Sequence, residues 1–501
     1  MNIDLKTIIK AYDVRGTVPE PFSVAVAEAV GAAFARAVVL PGARVNDFIG
    51  LTETGISVSD SAGVVVLPDA SHIVIGNDMR ESGPELVSAF ARGVTSAGVD
   101  VTLIGLCSTD GLYFASGSLN LPGAMFTASH NPAAYNGIKM CRAGARPVGE
   151  DTGLAQVREL AQSYLDNGLP AAVDNPGVVR EADLLGKYAQ FLRSLVDLTA
   201  IRPLKVVIDA GNGMGGHTVP AVLGQQVGLP ALPLEIVPLY FELDGNFPNH
   251  EANPLEPANL VDLQKAVVEH GADLGIAFDG DADRCFFVDE TGRAVSPSAV
   301  TILVGLRELA KEQEQGRSAT IIHNLITSAA VPETLSAAGA TTVRTRVGHS
   351  FIKAQMADHQ AVFGGEHSAH YYFRDFWFAD TGMLAAMHVL AALGGQDRPM
   401  SELSQMYEPY VASGEINSRV LDVVAARERV VAAFQAAYPG LEVDELDGVT
   451  LSHWHAEPRW WFSLRESNTE PLLRLNVEAA DVVVMAKVRD DALALIRQET
   501  Q

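Results

Sequence analysis

The feature that most constrains this chain's fold is a repeated alternation of short apolar, β-prone runs with longer stretches of helical periodicity. In such an order, helical crossovers join the strands, so most neighbouring strands run parallel and the fold class is α/β. A β-sandwich or a helical bundle would not produce it. The predicted strands and helices include His72–Ile75, Pro84–Ala97, Val101–Ile104, Lys205–Ile208, Leu274–Phe278, Ala319–Ile322 and Ala329–Ala338.

The length of 501 residues predicts several domains, because single hydrophobic cores stop growing at about 250–300 residues. Turn-forming residues mark seams near 165–185, near 295 and near 395–415. The expected domains are therefore 1–170, 171–297, 298–410 and 411–501. The last mixes helical patterns with strand-like runs, which predicts a smaller α+β unit. Its patterns are Val423–Ala437, Trp460–Leu464, Leu472–Val477 and Ala480–Thr500.

The balance of charge excludes some partners. Lysine and arginine number 36 against 61 aspartates and glutamates, a formal net charge of −25, which repels nucleic acid and anionic membrane surfaces. Cys107, Cys141 and Cys285 are widely separated, which fits a reducing compartment and favours neither a disulfide framework nor a zinc site. The sequence shows no signal-peptide pattern and no apolar run of membrane-spanning length. We expect a cytoplasmic protein that binds an anionic substrate only where arginine, lysine or a metal ion locally reverses the sign.

A tight polar turn follows one predicted strand, in Gly123-Ala-Met-Phe-Thr-Ala-Ser-His-Asn-Pro. It would expose the hydroxyl of Ser129 beside His130. On these residues alone, the more ordinary interpretation is a structural turn in which the serine caps the next element. No G-x-S-x-G elbow surrounds any serine of the chain, which disfavours acyl-transfer hydrolysis by that route.

Three aspartates alternate in the loop Asp279-Gly-Asp-Ala-Asp-Arg, between two apolar runs. Carboxylates this close repel one another unless a hard cation gathers them, and such oxygen ligands suit Mg²⁺. The spacing up to Glu290 also mimics an EF-hand, although Arg284 occupies the place of the required glycine and the flanks have strand character. A solvated acidic turn is the remaining interpretation.

A glycine-rich segment, Gly211-Asn-Gly-Met-Gly-Gly, follows another apolar run and matches the G-x-G-x-x-G fingerprint of dinucleotide-binding folds. Glu235 lies near the position of a ribose-binding acid. The fingerprint by itself is weak, and Pro220 falls early in the helix that should follow. A structural turn is favoured, and a nicotinamide-dependent oxidoreductase stays open as an alternative.

Near the C-terminus, Arg465-Glu-Ser-Asn-Thr-Glu-Pro and the following Arg474 concentrate hydroxyls, an amide and two arginines. Forked arginine donors and loop N–H groups suit a phosphate dianion, and a surface turn is the alternative. Two further polar loops are Val347-Gly-His and Gly364-Gly-Glu-His-Ser-Ala-His. In the second, Glu366 could accept hydrogen bonds from vicinal sugar hydroxyls with Ser368 and His370 close by, although each histidine singly is more often structural.

In this order along the chain, four motifs resemble those of the α-D-phosphohexomutase superfamily. They are a phosphoserine loop (Thr127-Ala-Ser-His-Asn-Pro), a metal loop (Asp279-Gly-Asp-Ala-Asp-Arg), a sugar loop (Gly365-Glu-His-Ser-Ala-His) and a phosphate loop (Arg465-Glu-Ser-Asn-Thr-Glu-Pro). Further similar pieces are Ala11-Tyr-Asp-Val-Arg-Gly, Tyr135-Asn-Gly-Ile-Lys, Phe247-Pro-Asn-His and Val347-Gly-His. The sugar loop and the Tyr-Tyr-Phe-Arg-Asp that follows it are similar to the bacterial phosphomannomutase/phosphoglucomutase branch.

The resemblance implies three related α/β domains with mixed sheets and a fourth, TATA-binding-protein-like α+β domain, around one central cleft. It implies that Ser129 is phosphorylated in the active enzyme and that Asp279, Asp281 and Asp283, with a phosphoseryl oxygen, hold Mg²⁺. The other catalytic residues it implies are His130, Lys139, Arg284 and His370. The substrate-binding residues it implies are Tyr12, Arg15, Gly348, His349, Glu366, Ser368, Arg465, Ser467, Asn468, Thr469 and Arg474.

The function implied by the resemblance is interconversion of mannose 6-phosphate and mannose 1-phosphate through phosphoserine, with hexose 1,6-bisphosphate as intermediate and activator. Glucose phosphates would also be accepted, and the protein would be a monomer or a weak homodimer. Phosphoglucomutase as the main activity and a metal-dependent sugar phosphatase stay open as alternatives. The departure from the family pattern is an insertion at about 46–70, which touches none of the motif residues.

Overall fold

A computed structural model describes residues 3–41, 71–466 and 472–498. The chain divides into two compact units. The first consists of Met1–Ala294 and Tyr372–Gln396, and the second of Val295–Tyr371 and Asp397–Gln501. The first unit thus includes Tyr372–Gln396, which the sequence seams place in the third domain, 298–410. The predicted insertion at about 46–70 lies outside the described residues.

The first sheet of the chain is mixed. Its strands are β1 (Val14–Thr17), β2 (His72–Asn77), β3 (Asp100–Leu106), β4 (Gly123–Phe126), β5 (Tyr135–Arg142), β6 (Arg146–Pro147) and β7 (Val179–Glu181). They follow the order β1-β5-β4-β2-β3-β7, with β6 beside β5. Strand β2 is parallel to both β3 and β4, and β5 is antiparallel to β1 and β4. The loops that follow β2, β3 and β4 therefore leave the same edge of the sheet.

Four helices accompany this sheet: α1 (Val24–Phe34), α2 (Gly83–Thr95), α3 (Thr109–Leu119) and α4 (Leu154–Asn167). A π-helical turn at Ala35–Val39 continues α1, and 3-10 turns lie at Leu5–Thr7 and Glu150–Thr152. Helices α1, α2 and α4 share one buried apolar core with the sheet. Helix α3 begins after β3 because Ser108 caps it, accepting a hydrogen bond from the N–H of Gly111.

The second sheet is also mixed. Its strands are β8 (Leu204–Asp209), β9 (Leu234–Leu239), β10 (Leu274–Phe278), β11 (Cys285–Asp289) and β12 (Ala294–Val295), in the order β12-β11-β10-β8-β9. Strands β8, β9 and β10 pair in parallel, whereas β10 and β11 form an antiparallel hairpin. The accompanying helices are α5 (Leu185–Leu195), α6 (Gly215–Val222) and α7 (Val261–His270), the last preceded by a 3-10 turn at Pro257–Leu260. The hairpin turn carries the three aspartates.

The third stretch begins in the second unit with α8 (Pro297–Glu314), β13 (Thr320–Asn324), α9 (Ala330–Ala337), β14 (Thr341–Thr345), α10 (His349–His359) and β15 (Phe363–Gly365). Strand β13 is parallel to β14 and β15. There follow β16 (Tyr371–Phe373), a 3-10 turn (Arg374–Phe376), β17 (Ala379–Asp380) and α11 (Gly382–Gly394). Strands β16 and β17 pair antiparallel, and α11 is almost entirely buried within the first unit.

The last stretch is an antiparallel sheet covered by two helices. It consists of α12 (Met400–Gln405), β18 (Val411–Arg419), α13 (Val423–Ala437), β19 (Glu442–Asp444), β20 (Val449–Ser452), β21 (Trp460–Glu466), β22 (Leu472–Ala479) and α14 (Val482–Ile496). The strand order is β18-β22-β21-β20-β19. Apolar residues of α13 and α14 pack on one face of the sheet. The α/β class and the α+β character of the C-terminal stretch are confirmed.

Within the ranges that the structure describes, no helix combines the length and the apolar character needed to cross a membrane.

Candidate active site

Ser129 lies in the loop after β4, in a backbone conformation that side-chain-bearing residues seldom adopt. Its φ is +50°, in the left-handed region. The N–H of Ser129 donates a hydrogen bond to Thr127 Oγ1 at 2.8 Å, which helps to hold the turn. The side chain is buried rather than exposed at the surface. The turn therefore places the hydroxyl inside the first unit, where its neighbours decide its chemistry.

The hydroxyl of Ser129 is surrounded by charged groups. Its Oγ donates to Asp279 Oδ2 at 2.7 Å and accepts from Arg284 Nη2 at 3.1 Å. His130 Nδ1 lies 3.2 Å from the same oxygen and also accepts a hydrogen bond from Arg284 Nη2. A guanidinium can only donate, so the ring proton of neutral His130 is on Nε2. Burial, reinforced by the charge of Arg284, lowers the pKa of His130 to about 2, which keeps the ring neutral.

The three aspartates of the β10–β11 turn form one buried cluster. Asp279, Asp281 and Asp283 each offer a carboxylate oxygen within 4.8 Å of the others. Lys139 Nζ, on β5, donates to Asp281 at 2.7 Å and to Asp283 at 2.5 Å. Thr109, at the start of α3, donates its hydroxyl to Asp281 Oδ2 at 2.6 Å and its N–H to the Asp281 carbonyl oxygen at 3.0 Å.

The cluster fits a divalent cation. Asp281 Oδ1 is buried and has no hydrogen-bond partner among the described residues, whereas its other oxygen accepts from both Lys139 and Thr109. A buried carboxylate oxygen without a donor is costly unless a cation uses it. Hard oxygen donors gathered in this way are the ligand set of Mg²⁺ or Ca²⁺.

Two aspartates of the cluster are perturbed in opposite directions. Burial raises the pKa of Asp279 to about 7, although the charge of Arg284 opposes the shift. Burial also acts to raise the pKa of Asp281, but Lys139 and the Thr109 hydroxyl outweigh it and hold that pKa well below its usual range. Burial lowers the pKa of Lys139 less than the two carboxylates raise it, so the ammonium stays charged. Perturbation of this kind is typical of functional sites.

The glycine-rich turn before α6 packs directly on the metal loop. A Cβ on Gly213 would lie 2.6 Å from the carbonyl oxygen of Gly280, and one on Gly280 would lie 2.3 Å from that of Ser129. The N–H of Met214 donates to the Gly280 carbonyl at 2.9 Å. Glu235 forms an ion pair with Lys205 at 3.0 Å on the sheet surface. These contacts support a structural turn rather than a dinucleotide site.

The EF-hand interpretation of the aspartate loop is wrong, because β10 and β11 flank the loop where an EF-hand requires helices.

Arg15 reaches the phosphoserine loop from β1. Its Nη1 donates to Asn131 Oδ1 at 2.6 Å, and its Nη2 forms an ion pair with Asp13 at 2.6 Å. Tyr12, three residues before Arg15, is half-buried. Of the predicted residues in the first unit, Ser129, His130, Arg284, Lys139 and the three aspartates thus share one connected cluster, and Arg15 joins it through Asn131.

Arg80 and Thr109 are site residues that sequence reasoning missed. The guanidinium of Arg80 donates to four backbone carbonyls of the Ser129 loop, and Thr109 orients Asp281. A signal was present, since these residues follow β2 and β3 as Ser129 follows β4. The carboxyl ends of parallel strands meet at one edge of a sheet, which is where α/β folds bind ligands.

The remaining predicted residues belong to the second unit, and Glu366 is central among them. Its carboxylate is buried and accepts from the N–H of Gly348 at 3.2 Å. His370 Nδ1 lies 3.4 Å from Glu366 Oε2 and 3.0 Å from Ser368 Oγ. His349, half-exposed, begins α10 directly after Gly348. The structure therefore brings the Val347-Gly-His loop and the sugar loop together.

The two arginines of the predicted phosphate loop face each other across neighbouring strands. Arg465 on β21 pairs in register with Arg474 on β22. Glu415 on β18 accepts from Arg465 Nη2 at 2.8 Å and lies 3.8 Å from Arg474 Nη1. His367 belongs to the sugar loop, and burial lowers its pKa. The charge of Glu415 raises this pKa and the charge of Arg465 lowers it, so the sugar loop lies near Glu415 and Arg465. Ser467, Asn468 and Thr469 lie outside the described residues.

Fold and site together define an α/β protein whose buried serine hydroxyl adjoins a carboxylate cluster that fits a divalent cation. Four models of the phosphoglucomutase/phosphomannomutase family match the chain: α/β/α domain I at residues 49–166, domain II at 186–292, domain III at 297–410 and the C-terminal domain at 415–495. The chain therefore belongs to this family of phosphohexomutases, which are intramolecular phosphotransferases. The predicted domain boundaries and the central cleft stay predictions.

Similar proteins cover nearly the whole chain. A phosphomannomutase of Escherichia coli K12 is 37% identical over 98% of this chain and 99% of its own length. A protein of Xanthomonas campestris pv. campestris described as phosphohexose mutases is 37% identical over 97% of this chain and 98% of its own. Among solved structures, a phosphoglucomutase/phosphomannomutase family protein from Burkholderia thailandensis has a TM-score of 0.80 and 28% identity, covering 100% of this chain and 99% of that one.

Proposed function

We propose that this chain is a phosphomannomutase that interconverts mannose 6-phosphate and mannose 1-phosphate and also accepts glucose phosphates. The observation that carries the proposal is the position of Ser129 Oγ, 2.7 Å from Asp279 and 3.1 Å from Arg284. The name of the relative from Escherichia coli K12 supports the choice of mannose phosphates.

The reaction is a phosphoryl exchange between Ser129 and the sugar. The Oγ–P bond of phosphoserine breaks while a P–O bond to the free hydroxyl of a hexose monophosphate forms. The proton lost by that hydroxyl ends on Ser129 Oγ, which leaves as a free hydroxyl, and the product is hexose 1,6-bisphosphate. After the bisphosphate turns around, Ser129 takes back the phosphoryl group from the other position. Hexose 1,6-bisphosphate acts as an activator because it can phosphorylate a free Ser129.

Positively charged side chains near Ser129 stabilise the transfer. Phosphoryl transfer is catalysed mostly by positioning and by neutralising charge. Arg284 donates directly to the oxygen that carries the group, and Lys139 lies in the same cluster on Asp281 and Asp283. Asp279, Asp281 and Asp283 would hold Mg²⁺, which supplies further charge neutralisation when bound.

The second unit supplies the proposed substrate contacts. Glu366 and Ser368 bind sugar hydroxyls, with His349 and His370 beside them. Arg465 and Arg474 bind the phosphate that is not being transferred, together with Ser467, Asn468 and Thr469. Glu366 is buried and accepts hydrogen bonds from the Gly348 N–H and from Asn324 Nδ2, so its carboxylate is fixed before substrate arrives. The three free, buried cysteines agree with a cytoplasmic location.

Intact mass measurement combined with a coupled assay tests the proposal. We expect a phosphoryl adduct on Ser129 and turnover of both mannose 1-phosphate and glucose 1-phosphate that glucose 1,6-bisphosphate stimulates. Ser129→Ala should abolish the adduct and most turnover while the circular dichroism spectrum stays unchanged. Ser88→Ala, which alters an exposed serine on α2, is the matched control. Full activity of Ser129→Ala would show that another group carries the phosphoryl.

A further inference from the structure

Arg80 belongs to none of the four motifs, yet its side chain donates four hydrogen bonds to the loop that contains Ser129. It is 2% exposed, and its Nη2 donates to the carbonyl oxygens of Ser129 at 2.9 Å and Asn131 at 2.6 Å. Its Nη1 donates to those of Pro132 at 2.9 Å and Tyr135 at 2.8 Å. One side chain therefore gathers four carbonyls of the seven-residue stretch 129–135.

Ser129 and Asn131 lie in the irregular chain between β4 and β5, so no helix or strand ladder provides a donor for their carbonyls. The carbonyl of Pro132 also accepts from the Tyr135 N–H at 2.9 Å, and Tyr135 begins β5. Buried carbonyl groups outside helices and strands require a partner, and leaving them without one is costly. The left-handed φ of Ser129 adds strain that the surroundings must hold. A planar guanidinium offers several donors at fixed angles, whereas the ammonium of lysine has three donors around one point. The site is therefore specific for arginine.

The guanidinium is itself locked in place. Asp78 accepts from Arg80 Nε at 3.3 Å and from the Arg80 N–H at 3.0 Å. On the other side, the Arg80 Cζ lies 5.3 Å from the centre of the Phe247 ring, and a Cβ on Gly245 would meet the Arg80 Cα at 2.9 Å. Arg80 is therefore clamped between the phosphoserine loop and the segment that contains Gly245 and Phe247.

That segment leads back to the metal loop. The N–H of Asp244 donates to the Asn212 carbonyl at 3.0 Å, and Asn249 Nδ2 donates to Asn212 Oδ1 at 2.8 Å. The glycine-rich turn that contains Asn212 packs on Gly280, next to Asp279 and Asp281. Arg80 thus contacts the loop that carries Ser129. It also contacts the segment with Gly245 and Phe247, which is joined through Asn212 to the turn that packs on the aspartate loop.

We propose that Arg80 is a positioning residue, which holds the backbone of 129–135 so that Ser129 Oγ stays within hydrogen-bond distance of Asp279 and Arg284. The inference rests on the proposed role of Ser129 as phosphoryl carrier. The hydrogen bonds of Arg80 described above go to Asp78 and to the Ser129 loop, neither of which contains the predicted sugar-binding or phosphate-binding residues of the second unit. Loss of Arg80 therefore slows the transfer step and leaves substrate affinity unchanged.

The test compares Arg80 with a matched arginine. Arg193 on α5 also gathers carbonyls, donating to Val222 and Gly224 at 2.6 Å each and to Pro230 at 2.5 Å. The segment it supports, 222–230, contains none of the motif residues. Arg80→Lys, Arg80→Ala and Arg193→Ala are measured for kcat, KM, Tm, phosphoserine occupancy and rescue by added guanidinium.

We expect both Arg80 variants to lose about 10²-fold in kcat, the cost of a reacting group misplaced by about 1 Å, with KM unchanged. Guanidinium should restore part of the kcat of Arg80→Ala by filling the vacated site. Arg193→Ala should keep the wild-type kcat and respond to guanidinium no more than the wild type does.

Several results would overturn the inference. A folded Arg80 variant with wild-type kcat, or one that changes KM alone, contradicts a positioning role. If Arg80→Ala does not fold, Arg80→Lys is used to test the inference. If the loss of kcat in Arg80→Lys is no larger than the fraction of that variant that is unfolded, Arg80 supports folding only. Wild-type protein without a phosphoserine adduct or mutase turnover would instead contradict the proposed function, so the two failures are distinguishable.

Discussion

At the scale of single residues, environment separates side chains that the sequence presents as equivalent. Asp279 and Asp281 are two residues apart in a loop that repeats the same side chain. Asp279 accepts hydrogen bonds from Ser129 and Arg284, whereas Asp281 accepts them from Lys139 and Thr109. One oxygen of Asp281 has no hydrogen-bond partner among the described residues. The spacing predicted a cation site, but only the fold assigned a different set of donors to each carboxylate.

Asp281→Asn tests the metal assignment at this scale. The amide removes a charge from the ligand set, and we expect Mg²⁺ to bind at least about tenfold more weakly, by analogy with losses from altered metal surroundings. Isothermal titration calorimetry gives the affinity directly. Asp166→Asn removes the same charge from an exposed position on α4 and should leave Mg²⁺ binding unchanged. Equal affinity in wild type and Asp281→Asn would show that the metal binds elsewhere.

His323 on β13 predicts a dependence of stability on pH. Burial lowers its pKa to about 4, from an ordinary value of 6.5, and its Nδ1 lies 2.8 Å from Thr327 Oγ1. Between these two pKa values the unfolded chain binds the proton and the folded chain does not. Stability is therefore complete above about pH 6.5 and falls as the pH is lowered towards 4.

From pH 7 to pH 5 the contribution of His323 should decrease by about 2 kcal/mol, at about 1.4 kcal/mol per pH unit of proton uptake. Urea unfolding at the two pH values measures it. His323→Gln should show a smaller loss of stability between pH 7 and pH 5 than the wild type shows. His455→Gln, at an exposed histidine, is the control. An identical pH dependence in His323→Gln and wild type would contradict the buried-histidine explanation.

At the scale of elements, periodic segments were predicted well. Strand β10 at Leu274–Phe278 and helix α13 at Val423–Ala437 have the predicted bounds, because each is a continuous run whose burial pattern is visible in sequence. Strand β1, at Val14–Thr17, was not predicted as a strand. It is four residues long and exists through its antiparallel pairing with β5, more than a hundred residues away. Local sequence carries little information about such a pairing.

The glycine-rich turn matches the G-x-G-x-x-G fingerprint, but its glycines permit close packing rather than dinucleotide binding. Gly213 lacks a side chain because the carbonyl of Gly280 occupies that space, not because a pyrophosphate approaches. Gly213→Ala should displace the metal loop, lowering Mg²⁺ affinity and kcat together. Calorimetry and the coupled assay measure both, and Gly186→Ala on α5, where a Cβ meets nothing closer than 3.8 Å, is the control. An unchanged Mg²⁺ affinity, or NADH binding that the substitution abolishes, would contradict this explanation.

At the scale of the whole molecule, the sequence seams and the compact units differ. Residues 372–396 pack with the first unit, although the domain III family model spans 297–410. Helix α11 is almost entirely buried, and both of its ends pack on the first unit. A Cβ on Gly382 would meet the carbonyl carbon and oxygen of Arg284 at 2.9 Å, and one on Gly394 would meet Ile201 Cβ at 2.6 Å. Continuity in sequence does not decide which core a helix completes.

Within the second unit, Glu333 on α9 connects two family segments. Its carboxylate accepts from Trp454 Nε1 at 2.7 Å and from Tyr410 OH at 2.5 Å. Glu333→Ala should cost about 1 kcal/mol, because the site is exposed and its hydrogen bonds are screened by water. Hydrogen exchange of β20 and β21 should accelerate. Glu402→Ala removes an exposed glutamate on α12 and should change neither the stability nor the hydrogen exchange of β20 and β21. Equal exchange rates in Glu333→Ala and Glu402→Ala would contradict the role of Glu333.

The sequence by itself determined the α/β class, the four motifs and the chemistry that each can perform, because residue type and spacing are local properties. Only the tertiary structure decided which donors reach Ser129 Oγ, why Gly213 is a glycine, and that Arg80 and Thr109 belong to the site. These depend on contacts between residues far apart in the chain, as in the 2.7 Å hydrogen bond that joins Ser129 to Asp279. Burial then sets the pKa values of these groups, and burial follows from packing rather than from residue type.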